Sequence, residues 1–251
     1  MEPILIVKEI DRLEELKNRC IVVETDAVEK IEPAAEAIQR ENTLYYIKLH
    51  VKQDITAIAY RDEWQKIPLV IYPTGLGAVR DLIALLPLLK RLNVKFFLNS
   101  AREQSYEAVQ ILSSLGIYSG IVINEHADWE RLTDLMYYAL CGKVAHAPIE
   151  PFQYLYDIYN RNMLADYGAV FFEDTDFFTT QYTKDITKEH KEKSWQKFFY
   201  EATPCAACAG WRICMGKYAD LEDKTGCQTF TIELLDLIES LKFRKQLTIK
   251  N

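Results

Sequence analysis

The chain has 251 residues, 49% of them hydrophobic, and a net charge of −7, with a pI near 5.3. That acidic balance argues against nucleic-acid binding, because phosphate contacts need a basic surface. The longest apolar run, Asp81 to Leu92, is interrupted by Pro87 and Lys90 and is too short to span a bilayer.

The N-terminal part alternates short β-branched runs with amphipathic stretches. Ile4 to Val7, Cys20 to Glu24, Leu44 to Val51, Ile67 to Tyr72, Val94 to Asn99 and Ser119 to Asn124 read as strands. Asp11 to Asn18, Pro33 to Arg40, Ala78 to Leu92, Glu103 to Leu115 and Trp129 to Leu140 read as helices between them. Near-continuous apolar strands such as PLVIY and VKFFL suit a parallel sheet covered on both faces, so the predicted fold class is α/β. About six strands are too few for a closed eight-stranded barrel, which leaves a partial (β/α) barrel or an open, doubly wound parallel sheet.

Helix signals fix the register. Ser100 with Glu103 forms a predicted capping box, Asp128 caps the next helix, and Gly142 lies just beyond its end. Either architecture gathers the strand C-termini on one side, where ligands bind. The polar residues expected there are Glu24 and Asp26, Lys48 and His50, Thr74, Asn99 and Ser100, and Glu125 and His126. The turn from Thr74 to Ala78 carries G-x-G without the third glycine of a dinucleotide fingerprint, and reads as a tight strand-to-helix turn. No nucleophile motif is present and the four histidines are scattered, so the sequence leans away from an enzyme.

After His146 the character changes. Pro148 and Pro151 punctuate a boundary that divides the chain into a β/α part, 1–148, and a smaller α+β part, 149–251. Pro151 opens a helix through Arg161, Val170 to Phe178 reads as a hairpin around an acidic centre, and Lys184 to Tyr200 as a lysine-rich helix with an aromatic face.

Within the second part, Cys205, Cys208, Cys214 and Cys227 follow a C-x2-C-x5-C-x12-C spacing, while Cys20 and Cys141 lie far away. A C-x2-C pair folds back on one ion or cluster edge, and two later cysteines complete a four-sulfur shell. The start of the chain, without a basic n-region, points to a cytoplasmic, reducing setting in which metal binding is favoured over disulfides. The spacing leaves zinc and an iron–sulfur cluster both open, because uneven spacings suit iron–sulfur ligation and a structural zinc ribbon usually repeats its C-x2-C.

A hairpin at Val170 to Phe178, a helix containing Ser194-Trp195, the three cysteines Cys205, Cys208 and Cys214, and Cys227 before a terminal helix together resemble the SPASM or twitch region of peptide-modifying radical SAM enzymes. The resemblance covers roughly the last eighty residues, the length of a small metal-organised domain. It implies that these four cysteines hold one auxiliary [4Fe-4S] cluster. The C-x3-C-x2-C that binds the catalytic cluster of that family is absent from the sequence. The resemblance therefore implies a degenerate relative: a non-catalytic or accessory protein that works beside a peptide-modifying radical SAM enzyme or its peptide substrate. An electron-transfer protein using the same cluster and a zinc-stabilised scaffold are the alternatives. Arg212 and Lys217 would then offset the cluster's charge, and Trp211 would shield it.

Overall fold

A computed structural model describes residues 4–8, 16–163, 179–181, 205, 207–214 and 223–249. Seven strands follow one another through the first 150 residues: β1 Ile4–Val7, β2 Cys20–Thr25, β3 Thr43–His50, β4 Leu69–Tyr72, β5 Val94–Asn99, β6 Ser119–Val122 and β7 Ile149–Glu150. Helices α1 Ile31–Gln39, α2 Val79–Leu89, α3 Gln104–Ser114 and α4 Trp129–Cys141 connect them in the expected βα alternation. Beyond β7 come α5 Phe152–Asn160, a short strand β8 Thr179–Gln181, α6 Trp211–Cys214 and the long α7 Lys224–Ile249. The predicted hairpin at 170–178 and the predicted helix at 184–200 lie outside the described residues. So does most of the helix predicted at 11–18, whose last three residues are non-helical.

All seven strands are parallel and stand side by side in chain order, and β8 adds to the far edge beside β1. A doubly wound sheet reverses direction at a switch point, and this one does not. With every crossover of the usual right hand, the connecting helices fall on the same face. The sheet thus has the winding of a barrel but stays open, with no pairing between β7 and β8 among the described residues.

The two faces differ in chemistry. Ser119 Oγ donates to Val109 O of α3 at 3.3 Å, which marks the face of Ser119 and its register partner Phe96 as the helix-covered one. Ile47 and Leu49 on β3, and Leu69 and Ile71 on β4, are fully buried. Each contributes roughly 1.5–3 kcal/mol by leaving water. On the alternate positions stand Lys48 and His50, Tyr72, and Phe97 and Asn99. Val70 and Phe97 on that second face are as buried as their helix-facing neighbours, so PLVIY and VKFFL are covered on both faces, as expected, and turn polar only toward the strand ends.

Short elements depart from expectation in two places. Three 3-10 turns, Val28–Lys30, Ile55–Ala57 and Asp62–Lys66, fill connections that carry no helical periodicity. Ser100 does not cap α3, whose N-cap position is taken by Glu103 with no side-chain cap bond. Its hydroxyl instead accepts Asn124 N–H at 3.1 Å and joins the β5 and β6 ends. Asp128 does cap α4, accepting Arg131 N–H at 3.1 Å, and Gly142 closes it with an N–H to Tyr138 O at 3.0 Å.

Candidate functional site

Six cysteines are present and none is in a disulfide. Cys205 and Cys208 flank a turn closed by Cys208 N–H to Cys205 O at 3.1 Å. The chain then enters α6, where Cys214 N–H donates to Gly210 O at 3.0 Å. α7 begins beside it: Cys227, Phe230, Leu234 and Ile238 recur at helical spacing and are all buried. Gly210 lies so close to Thr231 of α7 that a Cβ there would overlap the Thr231 side chain. Thr231 Oγ1 donates to Cys227 O at 2.9 Å, so that close contact is made one helical turn from the Cys227 sulfur. Cys214 and Cys227 are both buried, and Cys205 and Cys208 half-buried.

The sequence-predicted sulfur quartet is thus divided between two packed elements, whereas Cys20 lies on β2 and Cys141 at the exposed end of α4. Four thiols in a soft, partly buried setting are a chemically apt donor set for iron and sulfide, and equally for zinc. Among the described residues no three His, Cys, Asp or Glu side chains are gathered as a single ion would need. Trp211 is half-buried at the start of α6. Lys217 and the Arg212 side chain lie outside the described residues.

A second feature lies at the C-terminal ends of the strands, a cavity of about 800 Å³. Lys48 and His50 reach it from β3, Tyr72 and Thr74 from β4, and Asn99 and Arg102 from β5. Tyr72 organises this wall. His50 stacks on it at 4.8 Å between ring centres, Phe97 stacks on it at 5.8 Å, and the Lys48 ammonium lies 5.0 Å from its ring centre. Glu24, the register partner of Lys48, approaches His50 Nε2 at 3.2 Å. The buried Nε2 has no other partner among the described residues. The contact with His50, helped by Lys48 and Lys8, holds the Glu24 carboxyl down at about 2, against a burial that pushes it up.

Of the rim residues expected from sequence, Asp26, Lys48, His50, Thr74 and Asn99 line the cavity, and Glu24 braces it from behind. Ser100 is buried in its structural bonds. Glu125 and His126 pair with each other at 3.3 Å on the surface and take no part. Tyr72, Phe97 and Arg102 were not expected. For Tyr72 the signal was its equivalence to Lys48 and His50 in the period-2 alternation across neighbouring strands.

The Thr74 to Ala78 segment follows the cavity wall with a bend at Thr74 and an extended Ala78, in place of the tight strand-to-helix turn expected. Gly77 has φ +79°, and a side chain there would overlap Thr56. Deeper on the same sheet face, Tyr118 OH donates to Glu150, whose other oxygen accepts Tyr154 N–H at 3.0 Å. Burial raises the Glu150 carboxyl above its ordinary range, against both of those bonds.

No protein-family model, curated protein or solved structure matches this chain. No helix among the described residues is long and apolar enough to cross a membrane.

Proposed function

We propose that this chain is a non-catalytic, [4Fe-4S]-binding accessory protein, a degenerate relative of the peptide-modifying radical SAM enzymes. Its partner would be such an enzyme or the peptide that the enzyme modifies. The observation that carries this reading is the cysteine arrangement: four cysteines outside any disulfide at C-x2-C-x5-C-x12-C, three on a turn and helix that pack against α7 and the fourth in the first turn of α7. Cys205, Cys208, Cys214 and Cys227 would hold the cluster, with residues 149–251 as the part organised around it. The cluster would supply a fold-stabilising centre. The barrel-like winding of the sheet is in keeping with descent from a (β/α) barrel enzyme. Cysteines outside any disulfide are in keeping with a reducing, cytoplasmic setting.

Anaerobic purification after supplying iron and sulfide tests the reading. The expected result is about four irons and four acid-labile sulfides per chain. Replacing any one of the quartet with alanine should drive both toward zero, while Cys20→Ala and Cys141→Ala leave them unchanged. One zinc and no labile sulfide would replace the cluster with a zinc scaffold. A cluster that cycles reversibly between oxidation states, followed by electron paramagnetic resonance, would move the assignment to electron transfer.

A further inference from the structure

The cavity at the strand ends has a charge that the chain as a whole does not. Lys48, Lys52 and Arg102 line it against a single carboxylate, Asp26, in a protein whose net charge is −7. A recess with an excess of one sign concentrates counter-charged solutes, since its low-dielectric walls focus the field. Glu24 lies close enough to Lys48 and His50 to offset them. No carboxylate pairs with Lys52 or Arg102 among the described residues.

Arg102 is also held in place. One guanidinium N–H donates to Thr74 O at the end of β4, and the remaining donors have no partner among the described residues. A guanidinium anchored at one corner presents its other N–H groups in a fixed fork, the geometry that matches a carboxylate or phosphate. In the same lining, His50 and Lys52 offer an imidazole and an ammonium from the end of β3. The volume, about 800 Å³, lies in the range of small-molecule sites. The position at the C-terminal ends of parallel strands is where such folds bind ligands.

We propose that this cavity binds a small molecule through an oxyanion, a phosphate or carboxylate, held by Arg102 from the β5 side and by His50 and Lys52 from β3. The site shares no residue with the cysteine quartet, so anion binding and cluster loading are separate outcomes. Asp26 is the one lining group that opposes the ligand, which gives the site a signature of sign: neutralising Asp26 strengthens it.

The test is calorimetric titration of the full-length protein with inorganic phosphate and, separately, with succinate at low ionic strength. At least one probe should bind saturably and weaken as salt is added. Lys52→Gln and Arg102→Gln, both at exposed positions, should each weaken it about tenfold, as expected for loss of one charge-assisted contact. Asp26→Asn should tighten it. Amide shifts on titration should fall in residues 48–53, 72–75 and 99–102. Preference for phosphate would assign a phosphorylated ligand and preference for succinate a carboxylate one. Failure of both probes to saturate, unchanged affinity in the Lys52 and Arg102 variants, or weaker binding in Asp26→Asn would overturn the proposal.

Discussion

Glu24 sits beside Lys48 and His50 of the neighbouring strand, and its depressed carboxyl makes a prediction with a definite sign. A group whose folded pKa lies below its unfolded value stabilises the fold above the unfolded pKa and loses that contribution as pH falls through the folded one. For Glu24 the window runs from 4.5 down to about 2. Discounted for its partial exposure to solvent, the contribution is about 1–2 kcal/mol. Glu24→Gln should therefore be less stable by that amount at pH 6 and equal to the parent near pH 2, in urea denaturation at the two pH values. Some of this residue-scale picture was legible. Glu24, Lys48 and His50 were expected at the strand ends because parallel sheets place ligand groups there. Arg102 was not, because a surface arginine three residues past a strand carries no local signal, and it is the tertiary bond to Thr74 that brings it to the cavity. Ser100 misled for a related reason: its spacing to Glu103 fits a cap, yet the competing bond to Asn124 on the neighbouring strand end took the hydroxyl.

At the scale of elements, the contact between α6 and α7 is set by a missing side chain. Gly210 faces Thr231, which is 2% exposed, with no space for a methyl group between them. Gly210→Ala must push the two elements apart, at a cost of about 1–3 kcal/mol for overpacking. The expected result is a lower melting temperature together with lower iron and sulfide content. A variant that melted like the parent and loaded fully would remove the contact from the account of the site. The sequence disclosed Cys227 and a terminal helix, since the cysteine spacing is a local pattern, but it placed the cysteine before the helix, whereas α7 starts at Lys224 and takes Cys227 into its first turn. It did not disclose which face of that helix meets Gly210, because nothing in the glycine's surroundings names its neighbour. Strand β7, two residues long, is likewise too short for any period to show. Its place in the sheet comes from pairing with β6.

Across the whole molecule, α7 ties the C-terminal part to the helix layer of the sheet. Phe230 is 2% exposed and meets Trp129 of α4 at 5.6 Å and Phe152 of α5 at 6.3 Å between ring centres. Tyr137 OH of α4 donates to Glu233 at 2.9 Å beside them. Cys214 and Cys227 belong to the same contiguous buried cluster as the sheet residues. Phe230→Ala should cost about 3–5 kcal/mol and, in metal-free protein, should speed the reaction of Cys214 and Cys227 with a thiol reagent. An unchanged rate would mean that the cysteine turn is protected without α7 docking. The division near residue 148 was read from two prolines and a change in composition. A shared apolar cluster leaves no such trace, because its members from 213 to 238 are distant in sequence from the helices they touch.

The chain-order arrangement of the seven strands bears on how the protein is made. Each strand, on emerging from the ribosome, finds its pairing partner already present in the segment just before it, so the sheet can grow by accretion with short loop closures. The cysteine turn follows the seven strands in the chain, and it docks on a layer of helices that has already formed. Insertion of an inorganic centre would then be the closing event of biogenesis, made on a scaffold that is otherwise assembled.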